Sequence, residues 1–135
     1  MRIMALDVGS KRIGVALSDP LKITAQGLET FQRTTLEKDV EGLWNLIDVH
    51  EVSQLVVGLP KNMDGSIGFK AEEIRQFVAD LTAERSIEVI WVDERLTTVS
   101  AERALLEADV SRARRKKVID KMAAVIILQS YLDRI

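Results

Sequence analysis

The hydrophobic pattern predicts three strands in the first third of the chain. Arg2–Val8 is a mostly apolar run, which is typical of a strand covered on both faces. The turn-forming stretch Gly9–Arg12 separates it from a second apolar run, Ile13–Leu17, so these two strands form a predicted hairpin. Residues 24–32 alternate weakly between apolar and polar side chains and are expected to extend the antiparallel sheet as a third strand.

Helical and strand patterns then alternate along the chain. A capping box, Thr34 to Glu37, precedes apolar positions that recur at helical spacing as far as Ile47. Short apolar runs predict strands at Leu55–Val57 and Ile87–Val92. Between them, a second helix is predicted from the spacing of Ala71, Ile74, Phe77, Val78 and Leu81.

Two more helices, at about residues 98–108 and 116–134, complete the predicted order βββ-α-β-α-β-α-α. This order predicts an α/β fold. Strands 1–3 are antiparallel, the later strands join through right-handed crossovers, and one mixed five-stranded sheet carries helices on both faces. With 135 residues and no linker or repeat, a single domain over residues 1–135 is expected. Trp44 and Trp91 are both predicted to lie in the core.

The residue types present limit the possible chemistry. The chain has no cysteine and one histidine, which excludes disulfides, cysteine nucleophiles, thiolate zinc sites and multi-histidine metal sites. The single histidine, His50, is expected at a helix end. The best candidate for a membrane span, Met122–Leu128, is far shorter than the ~18–20 residues that a span needs. The N-terminus lacks a cleavable signal pattern, so we expect a cytoplasmic protein without a membrane partner.

Acidic residues fall where ligands bind in such sheets, beyond the carboxyl ends of the parallel strands. Asp7 ends the first strand, and Asp93 and Glu94 end the strand Ile87–Val92. Asp120 shares a largely apolar helix face with residues four, seven and eleven positions later. Each acid also has a simpler interpretation: a turn at Asp7, solvation of the pair 93–94, or a salt bridge from residue 120 to Arg115 or Lys116.

Together, Asp7, Glu94 and Asp120 would offer only carboxylate oxygens, which suit Mg²⁺ or Mn²⁺. Two such ions about 4 Å apart can activate water and stabilise the leaving oxygen in phosphodiester hydrolysis. The formal net charge is −2, but six basic residues stand against one acid between Arg112 and Lys121. This run is either a solvated helix entrance or a surface that contacts a polyanion.

Four stretches stand out as motifs: ALDVGSKRIGVALSD at 5–19, VGLPKNMDG at 57–65, VDERLTT at 92–98 and VIDKMAA at 118–124. In their order and spacing they resemble the YqgF family of bacterial pre-16S ribosomal RNA nucleases, also called Holliday-junction-resolvase-like proteins. The resemblance implies a ribonuclease H-like fold and a metal-dependent nuclease. Its motif acids correspond to Asp7, Glu94 and Asp120 as catalytic and metal-binding residues, and the family pattern favours Glu94 over Asp93.

The resemblance also implies partners. The family is assigned to maturation of the 5′ end of pre-16S rRNA, in ribosome biogenesis, with contact to the ribosome or an assembly factor; its relationship to junction resolvases suggests branched DNA as another substrate. Candidate nucleic-acid-binding residues are basic or lie in the turn after the first strand: Ser10, Lys11, Arg12, Arg95, Arg112, Arg114, Arg115, Lys116 and Lys117.

Other functions and assembly states stay open from the sequence. An RNA-binding assembly factor without turnover would carry the same residues. The Asp7–Gly9 turn also resembles the phosphate loops of actin-like and sugar-kinase folds, although 135 residues cannot supply their second lobe. Both a monomer and a homodimer are compatible with the chain; a two-fold dimer would suit symmetric four-way junctions, and a monomer would suit trimming of a single strand.

Overall fold

The computed structural model describes residues 1–60, 68–93 and 112–135, and for residues 112–121 it describes the backbone. Five strands and three helices lie within these ranges. Their order is β1 (Arg2–Val8), β2 (Arg12–Ser18), β3 (Ala25–Gln32), α1 (Leu36–Val49), β4 (Val52–Leu59), α2 (Phe69–Leu81), β5 (Glu88–Asp93) and α3 (Arg112–Leu132). The helix predicted at about 98–108 lies outside the described residues.

The strands form one mixed sheet in the order β3-β2-β1-β4-β5. The pairs β1–β2 and β2–β3 are antiparallel, and the pairs β1–β4 and β4–β5 are parallel. The predicted five-stranded mixed sheet is therefore confirmed. Because β1, β4 and β5 run in the same direction, their carboxyl ends meet at one edge, where Asp7 and Asp93 lie.

Helices cover the sheet on both faces, as predicted. Alternate residues of β1, among them Met4 and Leu6, pack into a large core with α1 and α2. The residues between them, Ile3 and Ala5, pack against α3 in a second core that also contains Val92 of β5. This division follows from strand geometry, since successive side chains point to opposite faces of a sheet.

Local sequence signals explain most helix ends. Helix α1 begins after Thr35, whose side-chain oxygen accepts a hydrogen bond from the backbone N–H of Lys38, so the predicted capping box at Thr34 is wrong by one residue. His50 is the C-cap of α1, as expected.

Of the two tryptophans predicted in the core, Trp44 is buried and donates a hydrogen bond from Nε1 to the Leu81 carbonyl at 2.8 Å. Trp91 is 39% exposed, so its prediction is wrong. It lies on β5, which pairs with β4 alone among the described strands. Among the helices described here, none is long and apolar enough to cross a membrane.

Candidate active site at the carboxyl end of β1

Asp7 lies near the end of the central strand β1, on the face that packs against α3. The alternation of β1 fixes this orientation, because Ile3 and Ala5 belong to the α3 core whereas Leu6 and Val8 belong to the other core. The Asp7 residue is half-buried, and its carboxylate forms no hydrogen bond or ion pair with any residue in the described part of the chain. A half-buried carboxylate without a hydrogen-bond or ion-pair partner among the described residues is available to bind a cation.

Helix α3 passes close to Asp7 because the residue of the sheet that lies beneath the helix there is a glycine. Gly14 of β2 is the cross-strand partner of Asp7. A Cβ built on Gly14 would lie 3.6 Å from the Cβ of Ala124 and 3.6 Å from the Cβ of Asp7. Helix α3 therefore lies close to the sheet at Ala124, next to the candidate site.

The direction of α3 follows from its contacts at the opposite edge of the sheet. Gln129, five residues after Ala124, accepts a hydrogen bond from the Ala25 N–H and donates one to the Ile23 carbonyl. The helix therefore runs antiparallel to β1. Asp120 stands one turn before Ala124, about 6 Å nearer the carboxyl edge at a rise of 1.5 Å per residue. Its backbone is helical, and its side chain lies outside the described residues.

Strand β5 shows on which face of the sheet Asp93, one of the two neighbouring candidate acids, lies. Ile90 and Val92 pack in the α3 core. Asp93 is the next residue and pairs with Leu59, which packs in the opposite core. Asp93 therefore lies on the face away from Asp7. Glu94 lies outside the described residues.

The turn after Asp7 is compact and exposed. The Gly9 N–H donates to the Arg12 carbonyl at 2.9 Å, and a Cβ at Gly9 would lie 2.7 Å from that same oxygen. A side chain at this position would therefore open the turn, which explains the glycine. Ser10, Lys11 and Arg12 are exposed at the carboxyl edge of β1, where a phosphate backbone could reach them.

Sequence reasoning missed a partly buried ion pair beside this turn, in which the aspartate is buried and the arginine is 24% exposed. Arg33 donates from Nη1 to the Gly9 carbonyl at 2.8 Å and from Nε to Asp39 at 3.2 Å. Asp39 is 2% exposed. A sequence signal was available, because Asp39 precedes Leu43 and Ile47 by four and eight residues and so shares their apolar face, the same pattern that singled out Asp120.

The remaining predicted residues are only partly described. Arg95 lies outside the described residues, while the basic run falls within α3 as backbone: Arg112, Arg114, Arg115, Lys116 and Lys117. Among the described residues, no group of three or more acidic or histidine side chains is close enough to hold a metal ion. Asp7 is the single member of the predicted acidic triad whose side chain is described.

Comparison with known proteins agrees with this architecture. In Thermus thermophilus, RuvC in complex with a Holliday junction substrate aligns with a TM-score of 0.62 at 12% identity, covering 99% of this chain and 95% of that one. The Fowlpox virus resolvase in complex with Holliday junction DNA aligns with a TM-score of 0.51 at 13% identity, covering 99% of this chain and 98% of that one. The chain thus has the ribonuclease H-like fold of these resolvases.

Closer relatives are found by sequence. A protein of Moorella thermoacetica named "Putative pre-16S rRNA nuclease" is 58% identical over 135 residues, which is 100% of this chain and 96% of that protein. A protein of the same name from Natranaerobius thermophilus is 57% identical over 134 residues, 99% of this chain and 95% of that protein. The family model described as "RuvX: Holliday junction resolvase" matches residues 1–134, and this chain belongs to that family.

Proposed function

We propose that this protein is a metal-dependent nuclease that hydrolyses phosphodiester bonds in structured nucleic acid, and that its natural substrate is the 5′ end of the 16S rRNA precursor. The observation that carries the proposal is the position of Asp7. Its carboxylate, which has no partner among the described residues, lies near the carboxyl end of the central strand, on the face where α3 approaches at Ala124. Asp120 stands one helical turn before Ala124. The names of the relatives support the choice of reaction and substrate.

Asp7, Glu94 and Asp120 would hold the metal, Mg²⁺ or Mn²⁺, in two sites. The donor chemistry fits, since Asp7 offers carboxylate oxygens without a competing cation among the described residues, and hard divalent ions prefer such ligands. When bound, the ions supply activation of water and stabilisation of the leaving oxygen. We assign Glu94 rather than Asp93 to the set because Asp93 lies on the opposite face of the sheet.

The protein's own basic residues would hold the substrate. Lys11 and Arg12 are exposed in the turn that follows Asp7. Helix α3 starts at Arg112, twelve residues before Ala124. Its first turns therefore extend about 18 Å past the contact between Ala124 and Gly14, in the direction of the carboxyl edge of the sheet. Phosphates at that edge would meet both this basic run and the turn, and Arg95 is proposed as a further phosphate contact.

Two other functions are alternatives. The family description and the resolvase structures favour branched DNA, so a junction resolvase is the second candidate. A binding role in ribosome assembly without turnover would use the same basic residues and leave the carboxylates idle. These functions differ in what is cleaved and in whether Asp7 is needed.

The test is cleavage of labelled substrates in Mg²⁺ or Mn²⁺ by the wild type, Asp7→Asn and Asp93→Asn. The panel contains a 16S precursor 5′ leader, single-stranded RNA and a four-way DNA junction. We expect cleavage of the leader, a loss of at least ~10³-fold in Asp7→Asn and near wild-type rates in Asp93→Asn. Asp93→Asn is the matched control, since it removes a neighbouring strand-end carboxylate on the other face.

The other outcomes choose between the alternatives. Cleavage of the junction alone would assign the protein to DNA. If the wild type cleaves nothing and both it and Asp7→Asn bind RNA tightly, the binding role replaces the nuclease. If Asp93→Asn is as inactive as Asp7→Asn, the assignment of Glu94 over Asp93 is wrong.

A further inference from the structure

Arg33 connects four elements at one point beside the candidate site. It follows the last residue of β3, and its backbone N–H donates to the Lys11 carbonyl at 3.0 Å. Its side chain donates to the Gly9 carbonyl at 2.8 Å and to Asp39 of α1, and its guanidinium lies 4.8 Å from the ring centroid of Phe77 in α2. Both the backbone and the side chain of Arg33 therefore hold the turn that follows Asp7.

Asp39 fixes the orientation of this guanidinium. It is 2% exposed, and its two carboxylate oxygens accept from Arg33 Nε at 3.2 Å and from the Thr34 N–H at 2.9 Å. A buried carboxylate that lost its cation would be strongly destabilised, so the pair keeps Arg33 in one geometry. The planar guanidinium donates in several fixed directions, which lets Arg33 bind Asp39 and still reach the Gly9 carbonyl.

We propose that Arg33 is a positioning residue for the nuclease site, acting on the Asp7 end of β1 through the Gly9 carbonyl. The inference rests on the proposed function. Gly9 is two residues after Asp7, and the turn that it begins carries Ser10 and Lys11. Metal-assisted chemistry needs its ligands placed to within about 0.5 Å, and a displacement of about 1 Å can reduce the rate by ~10²-fold. Without the bond from Arg33, the Gly9 carbonyl loses its side-chain donor and the turn can shift.

The test compares Arg33→Lys with Arg85→Lys. Lysine keeps the positive charge for Asp39 but has a single compact ammonium that cannot also hold the Gly9 carbonyl in the same geometry. Arg85 is the matched control, because it lies 4.1 Å from the Trp44 ring and pairs with Asp48 at 2.9 Å, remote from the Gly9 turn. Asp39→Asn is a second variant, which removes the charge that orients Arg33.

Two measurements are needed. In cleavage of the preferred substrate, we expect Arg33→Lys to lower kcat by ~10- to 100-fold with KM within about twofold, and Arg85→Lys to change neither. In hydrogen exchange followed by NMR, the Gly9 N–H should exchange faster relative to the Leu6 N–H of the same molecule in Arg33→Lys and in Asp39→Asn. Because both exchange rates come from the same molecule, their ratio corrects for any general loss of stability in the variant.

The measurements separate failure of this inference from failure of the proposed nuclease. A wild-type Gly9 exchange ratio in both variants would overturn the positioning role, whatever happens to activity. A rise in KM with a smaller salt dependence of binding and unchanged kcat would also overturn it, since Arg33 would then contact a phosphate directly. If the wild type cleaves nothing, the proposed function fails and the exchange ratio alone decides whether Arg33 holds the turn.

Discussion

In the β1–β2 hairpin, the two faces of the sheet carry side chains of different size toward the carboxyl end of β1. In the β1–β2 hairpin, the cross-strand pair Leu6–Val15 faces α1 and α2, and both residues lie in the larger core. The next pair along the hairpin, Asp7–Gly14, faces α3. Consecutive residues of β1, Leu6 and Asp7, therefore belong to an apolar core and to the candidate site, respectively.

The small residues on the α3 face bring that helix close to the backbone of the sheet. Ala5 pairs with Ala16, both fully buried, and Ala124 of α3 lies over the neighbouring Gly14. Small facing side chains let a helix approach a sheet, whereas the large face separates its helices from the sheet by the length of a leucine or phenylalanine. Among the described residues, the face toward α1 and α2 has the larger cluster of buried apolar side chains, and burial of apolar surface stabilises the fold. On the α3 face, the helix comes close to the Asp7 end of β1 at Ala124, one turn after Asp120.

The largest effects are expected from substituting the two neighbours that face opposite ways. Leu6→Ala removes a fully buried side chain from the large core and should lower the free energy of unfolding by about 2–5 kcal/mol, because it leaves a cavity. The rate per folded molecule should stay near the wild-type value. Asp7→Asn should show the reverse: unchanged or raised stability and lost cleavage. Urea unfolding, combined with cleavage rates corrected for the folded fraction, measures both quantities.

Either of two results would contradict the expectation that Leu6 contributes to stability and Asp7 to cleavage. One is a Leu6→Ala protein that is as stable as the wild type. The other is an Asp7→Asn protein that loses as much stability as Leu6→Ala, which would make Asp7 a structural residue. Val15→Ala, at the cross-strand partner of Leu6, is a matched control that should repeat the behaviour of Leu6→Ala with a smaller loss.

Most of the fold could be predicted because its signals are local. The apolar runs of β1 and β2 and the helical spacing at Ile74, Phe77 and Leu81 depend on neighbouring residues, and each of these three helix positions is buried. The errors have physical causes. Thr34 and Thr35 are equally good capping residues by type. The hydrogen bond from the Lys38 N–H to the Thr35 side-chain oxygen, which identifies Thr35 as the cap, cannot be predicted from composition. Trp91 is apolar, but its strand pairs on one side within the described sheet.

The candidate site was less predictable because it depends on contacts between distant residues. Asp7 was predicted to end a buried strand, and it is the penultimate residue of β1. The face of Asp93, in contrast, depends on the partners of β5, and alternation alone gives no starting phase. The bond from Arg33 to Gly9 spans 24 residues, and no local pattern predicts it. The catalytic and metal-binding roles of Asp7, Glu94 and Asp120 remain predictions.

A smaller effect is expected from filling the gap beneath α3. Gly14→Ala should be tolerated, since its Cβ would make contacts of 3.6 Å with Ala124 and Asp7, which is ordinary van der Waals distance. Gly14→Val adds two methyl groups to that space and should cost about 1–3 kcal/mol by overpacking. Because the larger side chain pushes α3 away from Asp7, Gly14→Val should also lower the cleavage rate of the folded protein.

The alanine variant is the internal control for this prediction. Thermal unfolding and cleavage should place Gly14→Ala near the wild type and Gly14→Val below it on both measures. If Gly14→Val keeps the full cleavage rate, the close approach of α3 at Ala124 is not needed for the site, and the comparison between the two faces loses its functional meaning.

The smallest effect is expected at the far end of the α3 face, where the loop from Asp19 to Thr24 is fastened to the helix through Gln129. Hydrogen bonds to the carboxylate, chiefly from the Thr24 N–H and also from those of Ile23 and Leu21, hold the pKa of Asp19 below its usual range. A carboxyl group with a lowered folded-state pKa stabilises the fold fully above its unfolded-state pKa, about pH 4, and loses that contribution as pH falls further. Asp19→Ala should therefore be less stable than the wild type by a constant amount above pH 4, and the difference should shrink below it. Unfolding midpoints from pH 2.5 to 7 measure this difference in stability. The loss should be smaller than the loss of stability in Gly14→Val, because Asp19 is close to solvent.

Cleavage by Asp19→Ala at neutral pH should stay unchanged, since the loop lies at the opposite edge of the sheet from Asp7. A loss of cleavage in Asp19→Ala would mean that the attachment of α3 to this loop affects the candidate site at the other end of the helix.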